Sequence, residues 1–281
     1  MKPGIYEISR EEYEAIEAIN YSTLKHFNKS AAHVREEMLH PITPTPAMEL
    51  GNTIHIAVLE PEKFNDEYVV APKIDRRTKK GKAEWMVFEA ENEGKTLLSK
   101  DDWQMCQDII KKIKDNETFR SLIYSQGKNE LSFVWEDKHT GLLCKGRLDR
   151  ITRFHGWTTI VDVKTTVSAQ VGAFINQSAK MNYHMQAAFY LDGLQTIQPL
   201  ERSRAYFIYA IEKTRPYGMR IFELEDSTIH EGRQKYRDYL KQYKACLESG
   251  IWPGYSDAPE PLTLPGWAVG DYKIDLEEAF K

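Results

Sequence analysis

The sequence predicts an α/β domain: a central mixed β-sheet flanked by helices, with a helical N-terminal annex. Three observations lead there. Residues 10–40 carry apolar side chains at the 3–4 spacing of amphipathic helices. Residues 129–166 hold three strand-like alternating runs around polar turns. Beyond residue 180 helical and strand-like segments alternate, an order that stacks helices on a sheet.

Taken in order, "SREEYEAIEAI" and "NYSTLKHFNKSAAHVREEML" read as helical, with Ser9 and Ser22 as candidate N-caps. "HPITPTPAMELGN" breaks the pattern, and "NTIHIAVLE" is a short helix stopped by Pro61. "APKIDRRTKKGKAEW" is dense in basic residues and poor in apolar ones, which predicts an exposed loop. "SKDDWQMCQDIIKKIKDNETFRSLI" is an amphipathic helical region with Asp101 and Asp102 near its start. "NELSFVWED" and "LLCKGRLDRITRF" form a hairpin around "KHTG", and "GWTTIVDVKTT" is a third strand. "NYHMQAAFYLDGL" is a helix ending at Gly193. "SRAYFIYAIEK" and "YGMRIFELE" are further strands, and "IHEGRQKYRDYLKQYKACLESG" is a charged helix ending at Gly250. A tail with proline and tryptophan closes the chain. The whole, 1–281, reads as one domain: an annex over 1–60, a sheet core over 125–225, and a C-terminal helix and tail over 226–281.

With 281 residues, 41% hydrophobic and 28% charged, the chain has the balance of a globular protein. No apolar run reaches membrane-spanning length. "MKPGIYEISREEYEA" lacks the apolar stretch of a signal peptide. Cys106, Cys144 and Cys246 are far apart and odd in number, which suits a reducing cytoplasm and offers no zinc or iron–sulfur spacing. A net charge of −4 argues against non-specific coating of nucleic acid but leaves room for a locally basic groove.

The chemistry concentrates in the second and third strands. Alternation puts Asp162 and Lys164 on one face, with Val161 and Val163 on the other. By the same rule Lys145, Arg147 and Asp149 share a face of the preceding strand, opposite Cys144 and Leu148. Desolvating an unpaired charge costs several kcal/mol, so three charges among valines and an isoleucine need compensation. If the strands are neighbours, Asp149, Asp162 and Lys164 converge. Two carboxylates without a Cys or His cluster favour a hard cation, Mg²⁺ or Mn²⁺. A lone D-x-K triplet is far more often an ion pair within a strand. The apolar flanks and the upstream aspartate reverse that preference.

"GRLDR…VDVKTT" resembles the D…(D/E)xK signature of the PD-(D/E)xK nuclease superfamily, with Leu148 where proline often stands. "GNTIHIAVLEP", "NELSFVW", "CKGRLDRI", "VDVKTT" and "YHMQAAFY" are similar, in order and spacing, to the RecE-type exonuclease (exodeoxyribonuclease VIII) domain, of the RecB-like branch. The likeness spans most of the chain. It implies that Asp149, Asp162 and the Val163 carbonyl bind the metal and that Lys164 positions the attacking water. His55 resembles the histidine that joins the metal in that branch, although an isolated helix histidine usually bonds a backbone group. Glu130 resembles the extra acid near the metal or its waters, with an exposed strand-end glutamate as the alternative. Tyr183, Gln186 and Tyr190 share a helical face, and the resemblance makes Gln186 and Tyr190 a Q-x-x-x-Y pair that orders the lysine, the scissile phosphate or the adjacent nucleotide.

Lys145 and Arg147 could hold phosphate, though salt bridges explain them nearly as well. Arg76, Arg77, Lys79, Lys80 and Lys82 could track a DNA backbone, or be solvated. Trp85 beside them could stack on a base, but packing is the commoner role. The other histidines show no ligand spacing. The resemblance further implies Mg²⁺-dependent (Mn²⁺ substituting) 5′→3′ degradation of linear duplex DNA, leaving 3′ overhangs for a RecT-like annealing recombinase. It also implies a DNA-encircling homo-oligomer, a tetramer, of phage type. The rivals are a Cas4-like nuclease, weakened by the missing cysteine cluster, a restriction-type endonuclease, and a non-catalytic DNA-binding module.

Overall fold

The computed structural model describes residues 1–200 and 204–268. The last residues of the predicted tail, 269–281, lie outside them.

The chain opens with β1 (Gly4–Tyr6), α1 (Arg10–Glu14), α2 (Tyr21–Leu24), a 3₁₀ turn (Lys25–Asn28) and α3 (Ala31–Leu39). Ser9 caps α1 in a full capping box with Glu12. The predicted cap at Ser22 is corrected: Asn20 accepts the Thr23 N–H, and Ser22 sits inside α2. Next come α4 (Pro46–Leu59), α5 (Pro61–Glu67), β2 (Tyr68–Val70), α6 (Lys79–Glu91) and β3 (Thr96–Leu98). Helix α4 begins earlier than the periodicity suggests, with Pro46 in its first turn and Thr45 as cap. Pro61 ends α4 and also starts α5, because a first-turn proline gives up only an N–H that lacks a helical partner. The predicted basic loop is half helix: Thr78 caps α6, so Lys79, Lys80 and Lys82 lie in its first turns. The region read as one helix after Lys100 is two, α7 (Lys100–Asp115) and α8 (Glu117–Tyr124), divided where Asn116 caps the second.

The sheet strands follow: β4 (Gly127–Glu136), β5 (Leu143–Phe154), β6 (Trp157–Thr166), then α9 (Val171–Met181), α10 (Tyr183–Ile197), β7 (Ala205–Glu212), β8 (Met219–Glu223) and α11 (Asp226–Ser249). Helix α9 is additional to the predicted elements. Helix α10 runs past Gly193, whose missing side chain makes room for the Trp135 ring: a Cβ there would lie 2.7 Å from it. Gly250 ends α11 in the left-handed conformation, as expected.

Among the described residues the six-stranded sheet has the order β1-β4-β5-β6-β7-β8, with the single parallel pair β6–β7 bridged by α9 and α10. This is the predicted mixed sheet between helices. One face is covered by α2, α3, α10 and α11, burying Leu24, Val34, Phe189 and Leu240 against Phe133, Ile160 and Ile208. The other is covered by α4, α7 and α8, burying Ile54, Ile109 and Leu122 against Val161, Val163 and Tyr209. Helices α10 and α11 pack backbone to backbone at Gly232, where a Cβ would stand 2.1 Å from the His184 carbonyl oxygen. The three cysteines are buried, and burial raises the Cys106 thiol to about 12, so they are inert fillers.

Candidate active site

Strands β4, β5 and β6 carry one acid each at the same level of the sheet. Pairing brackets Glu130 and Asp149 between Asn129↔Arg150 and Leu131↔Leu148. On the other side the β5–β6 ladder stops at Arg150↔Val161, one step short of Asp149 facing Asp162. Both ladders therefore lapse at Asp149, and side chains can enter the gap. Glu130 has φ +50°, a left-handed conformation that costs a non-glycine residue roughly 1–2 kcal/mol.

The kink inverts the faces of β5. Leu148 packs with α10 and α11, whereas Arg150, two residues on, bonds the Leu122 and Ser125 carbonyls on the opposite layer. Simple alternation holds through Asp149, with Lys145 and Arg147 on its side and Cys144 and Leu148 on the other, and fails just beyond it at Arg150, because it assumes uninterrupted extended backbone.

His55, on α4, closes the gap from the side. Its Nε2 lies 2.8 Å from Asp149 Oδ2 and its Nδ1 3.2 Å from Glu130 Oε1. The other Glu130 oxygen accepts from Arg147 Nε at 2.7 Å, and Arg147 is braced in turn by Ser132 and the Ile8 carbonyl. Asp149 Oδ2 also accepts the Val163 N–H at 2.7 Å. An N–H and C=O of one strand residue point to the same side, so the Val163 carbonyl opens toward the same gap. Burial pulls the His55 pKa down, but the Asp149 charge and hydrogen bond, with Glu130, outweigh it and raise the imidazole. For Asp149 burial raises the carboxyl, and His55, Lys164 and the Val163 N–H together bring it below the ordinary carboxylate range.

Asp162 is 2% exposed. Its Oδ1 accepts from Lys164 Nζ at 2.7 Å and from Gln186 Nε2 at 3.1 Å. Oδ2 lies within 2.7 Å of the same ammonium but outside hydrogen-bonding geometry, and has no hydrogen-bond partner. Burial raises this carboxyl to about 6; Lys164 opposes the shift and Asp149 adds to it. Burial depresses Lys164, but Asp162 and Asp149 more than compensate and hold it protonated. Its ammonium rests over the Tyr183 ring, 5.1 Å from the centroid. Tyr190 is buried edge-on against Phe133, and burial raises its hydroxyl, which a hydrogen bond with Gln186 partly offsets.

These residues fit a hard divalent cation. Asp162 Oδ2 is a buried acceptor with no hydrogen bond, held only by its ion pair with Lys164, on a carboxyl whose charged form burial disfavours, and the candidate ligands around it are oxygens plus one imidazole. No three His, Cys, Asp or Glu side chains form a ready cage among the described residues. The acids are turned onto His55 and Lys164, contacts that a bound cation would have to replace.

The structure thus brings His55, Glu130, Asp149, Asp162, Lys164, Gln186 and Tyr190 together. It gives other predicted residues different tasks. Lys145, proposed from sequence as a phosphate ligand, is buried, and its ammonium is bonded to the Tyr13, Glu14 and Ile16 carbonyls. Three protons meet three acceptors, leaving none for phosphate. Arg147 is engaged with Glu130. Arg76 stacks 4.4 Å from the Trp85 ring centroid, Arg77 pairs with Asp75 and Lys80 with Glu84. Lys79 is exposed beside them, and among the described residues no ion pair joins this cluster to Glu130, Asp149 or Asp162. Sequence reasoning missed α9 and the Thr166–Gln177–Tyr183 chain of hydrogen bonds that supports the ring beneath Lys164. One signal was present: no acidic residue occurs between Asp162 and Asp192.

The chain matches no curated protein sequence. Among solved structures it is similar to a protein from Eubacterium rectale named provisionally as an exonuclease, with a TM-score of 0.54 and 15% identity over 92% of this chain and 96% of that one. At that identity the likeness establishes shared fold. A second structure, of the protein SSO0001, aligns with a TM-score of 0.39 and 14% identity over 87% and 92% of the two chains. A family model described as "PDDEXK-like domain of unknown function (DUF3799)" matches residues 20–264.

Proposed function

Because the chain belongs to this PDDEXK-like family, we propose that it is a divalent-metal-dependent DNA nuclease that hydrolyses phosphodiester bonds. The observation that carries the reading is the meeting of Glu130, Asp149 and Asp162 at a lapse in two ladders, with Lys164 bonded to the buried Asp162. His55, Asp149, Asp162 and the Val163 carbonyl would hold the cation, with Glu130 beside them. Mg²⁺ is the proposed ion, with Mn²⁺ as substitute; bound there, it supplies Lewis acidity and neutralises charge developing on the phosphoryl group.

The chain's own residues do the rest. Lys164 is held protonated, so it acts as a hydrogen-bond donor and fixed positive charge, orienting the attacking water and stabilising the phosphoryl oxygens. Gln186 fixes Asp162, Tyr190 backs Gln186, and Tyr183 supports the ammonium from below.

At finer grain, the reading is of a RecE-type 5′→3′ exonuclease consuming linear duplex ends and leaving 3′ overhangs for a RecT-like annealing partner. We place it in the cytoplasm as a homotetramer of phage type, with residues 1–281 acting as one exonuclease domain. These finer points rest on the five-motif resemblance. No helix among the described residues is long and apolar enough to cross a membrane.

The test is incubation of end-labelled linear and closed circular duplexes with Mg²⁺ or EDTA. Shortening of the linear DNA from its 5′ ends, with the circle intact and no reaction in EDTA, is expected. Cutting of the circle identifies an endonuclease. Binding without cleavage of either overturns the enzymatic reading.

A further inference from the structure

Immediately past Lys164 the surface opens into a groove of about 450 Å³. It is lined by Thr165 and Thr166 at the end of β6, Asn176, Gln177 and Lys180 on α9, and Lys213 after β7. We propose that this groove binds the sugar–phosphate backbone of the cleaved strand next to the scissile phosphate, with Lys180 and Lys213 as the phosphate contacts. The proposal rests on the nuclease reading and adds which surface carries the strand.

Charge is the first argument. Neither lysine forms an ion pair among the described residues, whereas Arg77 and Lys80 near Trp85 do. The nearby acid, Glu212, is occupied: one oxygen accepts the Ala169 N–H at 2.7 Å and the other the Gly218 N–H at 3.2 Å. Helix α9 has no acidic residue. Two lysines against the one Glu212 carboxylate leave the groove with a net positive charge in a chain whose net charge is −4. A lysine in the last turn of a helix gains from the helix dipole wherever it occurs, so Lys180 alone would carry nothing. Lys213 has no such reason, and its backbone N–H is tied to the Thr166 carbonyl at 3.2 Å.

Placement is the second. Thr166 lies two residues beyond Lys164 on β6, roughly 7 Å along the strand. Thr166 Oγ1 and Gln177 Oε1 are 2.7 Å apart, and Gln177 Nε2 reaches the Tyr183 hydroxyl at 3.4 Å, so the floor of the groove is bonded to the ring that supports Lys164. The third is the rim. Val167 and Met181, which also line it, are 83% and 50% exposed. A free anion has no use for apolar walls. Sugar and base edges do.

The experiment measures binding of single-stranded and duplex oligonucleotides over a range of salt, for wild type, Lys180→Gln/Lys213→Gln and Lys180→Arg/Lys213→Arg. The two glutamines should lower the slope of log affinity against log salt by about 1.4 to 1.8, at ~0.7 to ~0.9 per phosphate contact, and the arginines should restore it. In cleavage assays the glutamine variant should show KM raised about tenfold or more with kcat nearly unchanged, as expected for lost uniform binding. Neither lysine side chain has a partner among the described residues, so the melting temperature should hold. An unchanged salt slope overturns the groove even if the protein is an active nuclease, as does failure of the wild type to bind either strand. A wild type that binds with the predicted slopes but never cleaves overturns the enzymatic reading and leaves the groove standing.

Discussion

Asp162→Asn isolates the electrostatic tension at the centre of the site. With no cation bound, the Asp162 carboxyl titrates at about 6, against an ordinary value of 3.8, chiefly because it is buried. A raised carboxyl pKa means that ionisation costs more in the folded state than in the unfolded one. The cation-free protein therefore loses stability as pH climbs from about 4 to about 6. The gap of ~2 pH units at ~1.36 kcal/mol each amounts to about 3 kcal/mol, and the side chain is too buried for solvent screening to reduce it. His55 is also raised, so its contribution is present below pH 6.5 and lost as pH rises through the folded value, adding to the decline. Asp149 is lowered; its contribution is lost only in more acid solution and is flat across this window.

Asparagine removes the first step alone. Lys164 keeps Asp149 as a charge partner. Guanidinium unfolding from about pH 4 to about pH 8, in EDTA and in Mg²⁺, reads the effect. The wild type should lose about 3 kcal/mol more than Asp162→Asn between about pH 4 and about pH 6 in EDTA. Mg²⁺ should return stability to the wild type and little to the variant. Parallel curves for the two proteins in EDTA would refute the reasoning, and so would equal stabilisation of both by Mg²⁺.

Other outcomes follow from the same geometry. Lys164→Ala should cut the cleavage rate by roughly 10²–10³ while leaving DNA affinity within a few-fold, read by single-turnover kinetics beside a binding isotherm. Lys145→Met should strand three buried carbonyls and lower stability by about 3 kcal/mol or more, yet leave the salt slope of DNA binding unchanged; a shallower slope would restore Lys145 as a phosphate ligand. Gly193→Ala drives a methyl into the Trp135 ring and should cost about 1–3 kcal/mol by overpacking, visible as a lower melting temperature with Mg²⁺ affinity intact. Mg²⁺ or Mn²⁺ binding should release protons near pH 6, since Asp162 and His55 must both be deprotonated to serve as ligands; calorimetry in buffers of different ionisation enthalpy should show heats that scale with the buffer.

The sheet was legible because β5 and β6 alternate cleanly on either side of their acids, and the register then makes Asp149 and Asp162 neighbours. The gap itself was not. Nothing in "KNELS" announces that Glu130 adopts a positive φ, and alternation carried across the gap assigns faces wrongly from Arg150 onward. Lys145 was misread for a related reason: parity tells which way a side chain leaves the strand but not that carbonyls from residues 13–16 wait there. Helix α9 escaped because "VGAFINQSAKM" has a single charge and lies beside a strand rich in threonine, so neither period stood out. His55 and Gln186 were found only because neighbouring motifs pointed to them. Their spacing to the acids is a tertiary fact.

Gly232 touches no ionisable group of the centre, yet it sets where that centre stands. Helix α11 rests directly on the backbone of α10 at His184, two residues from Gln186. Any side chain at position 232 would act as a shim, lifting α10 and drawing Gln186 away from Asp162. The last long helix is thus a gauge block for the active face: a remote surface machined flat, whose thickness fixes an alignment made elsewhere.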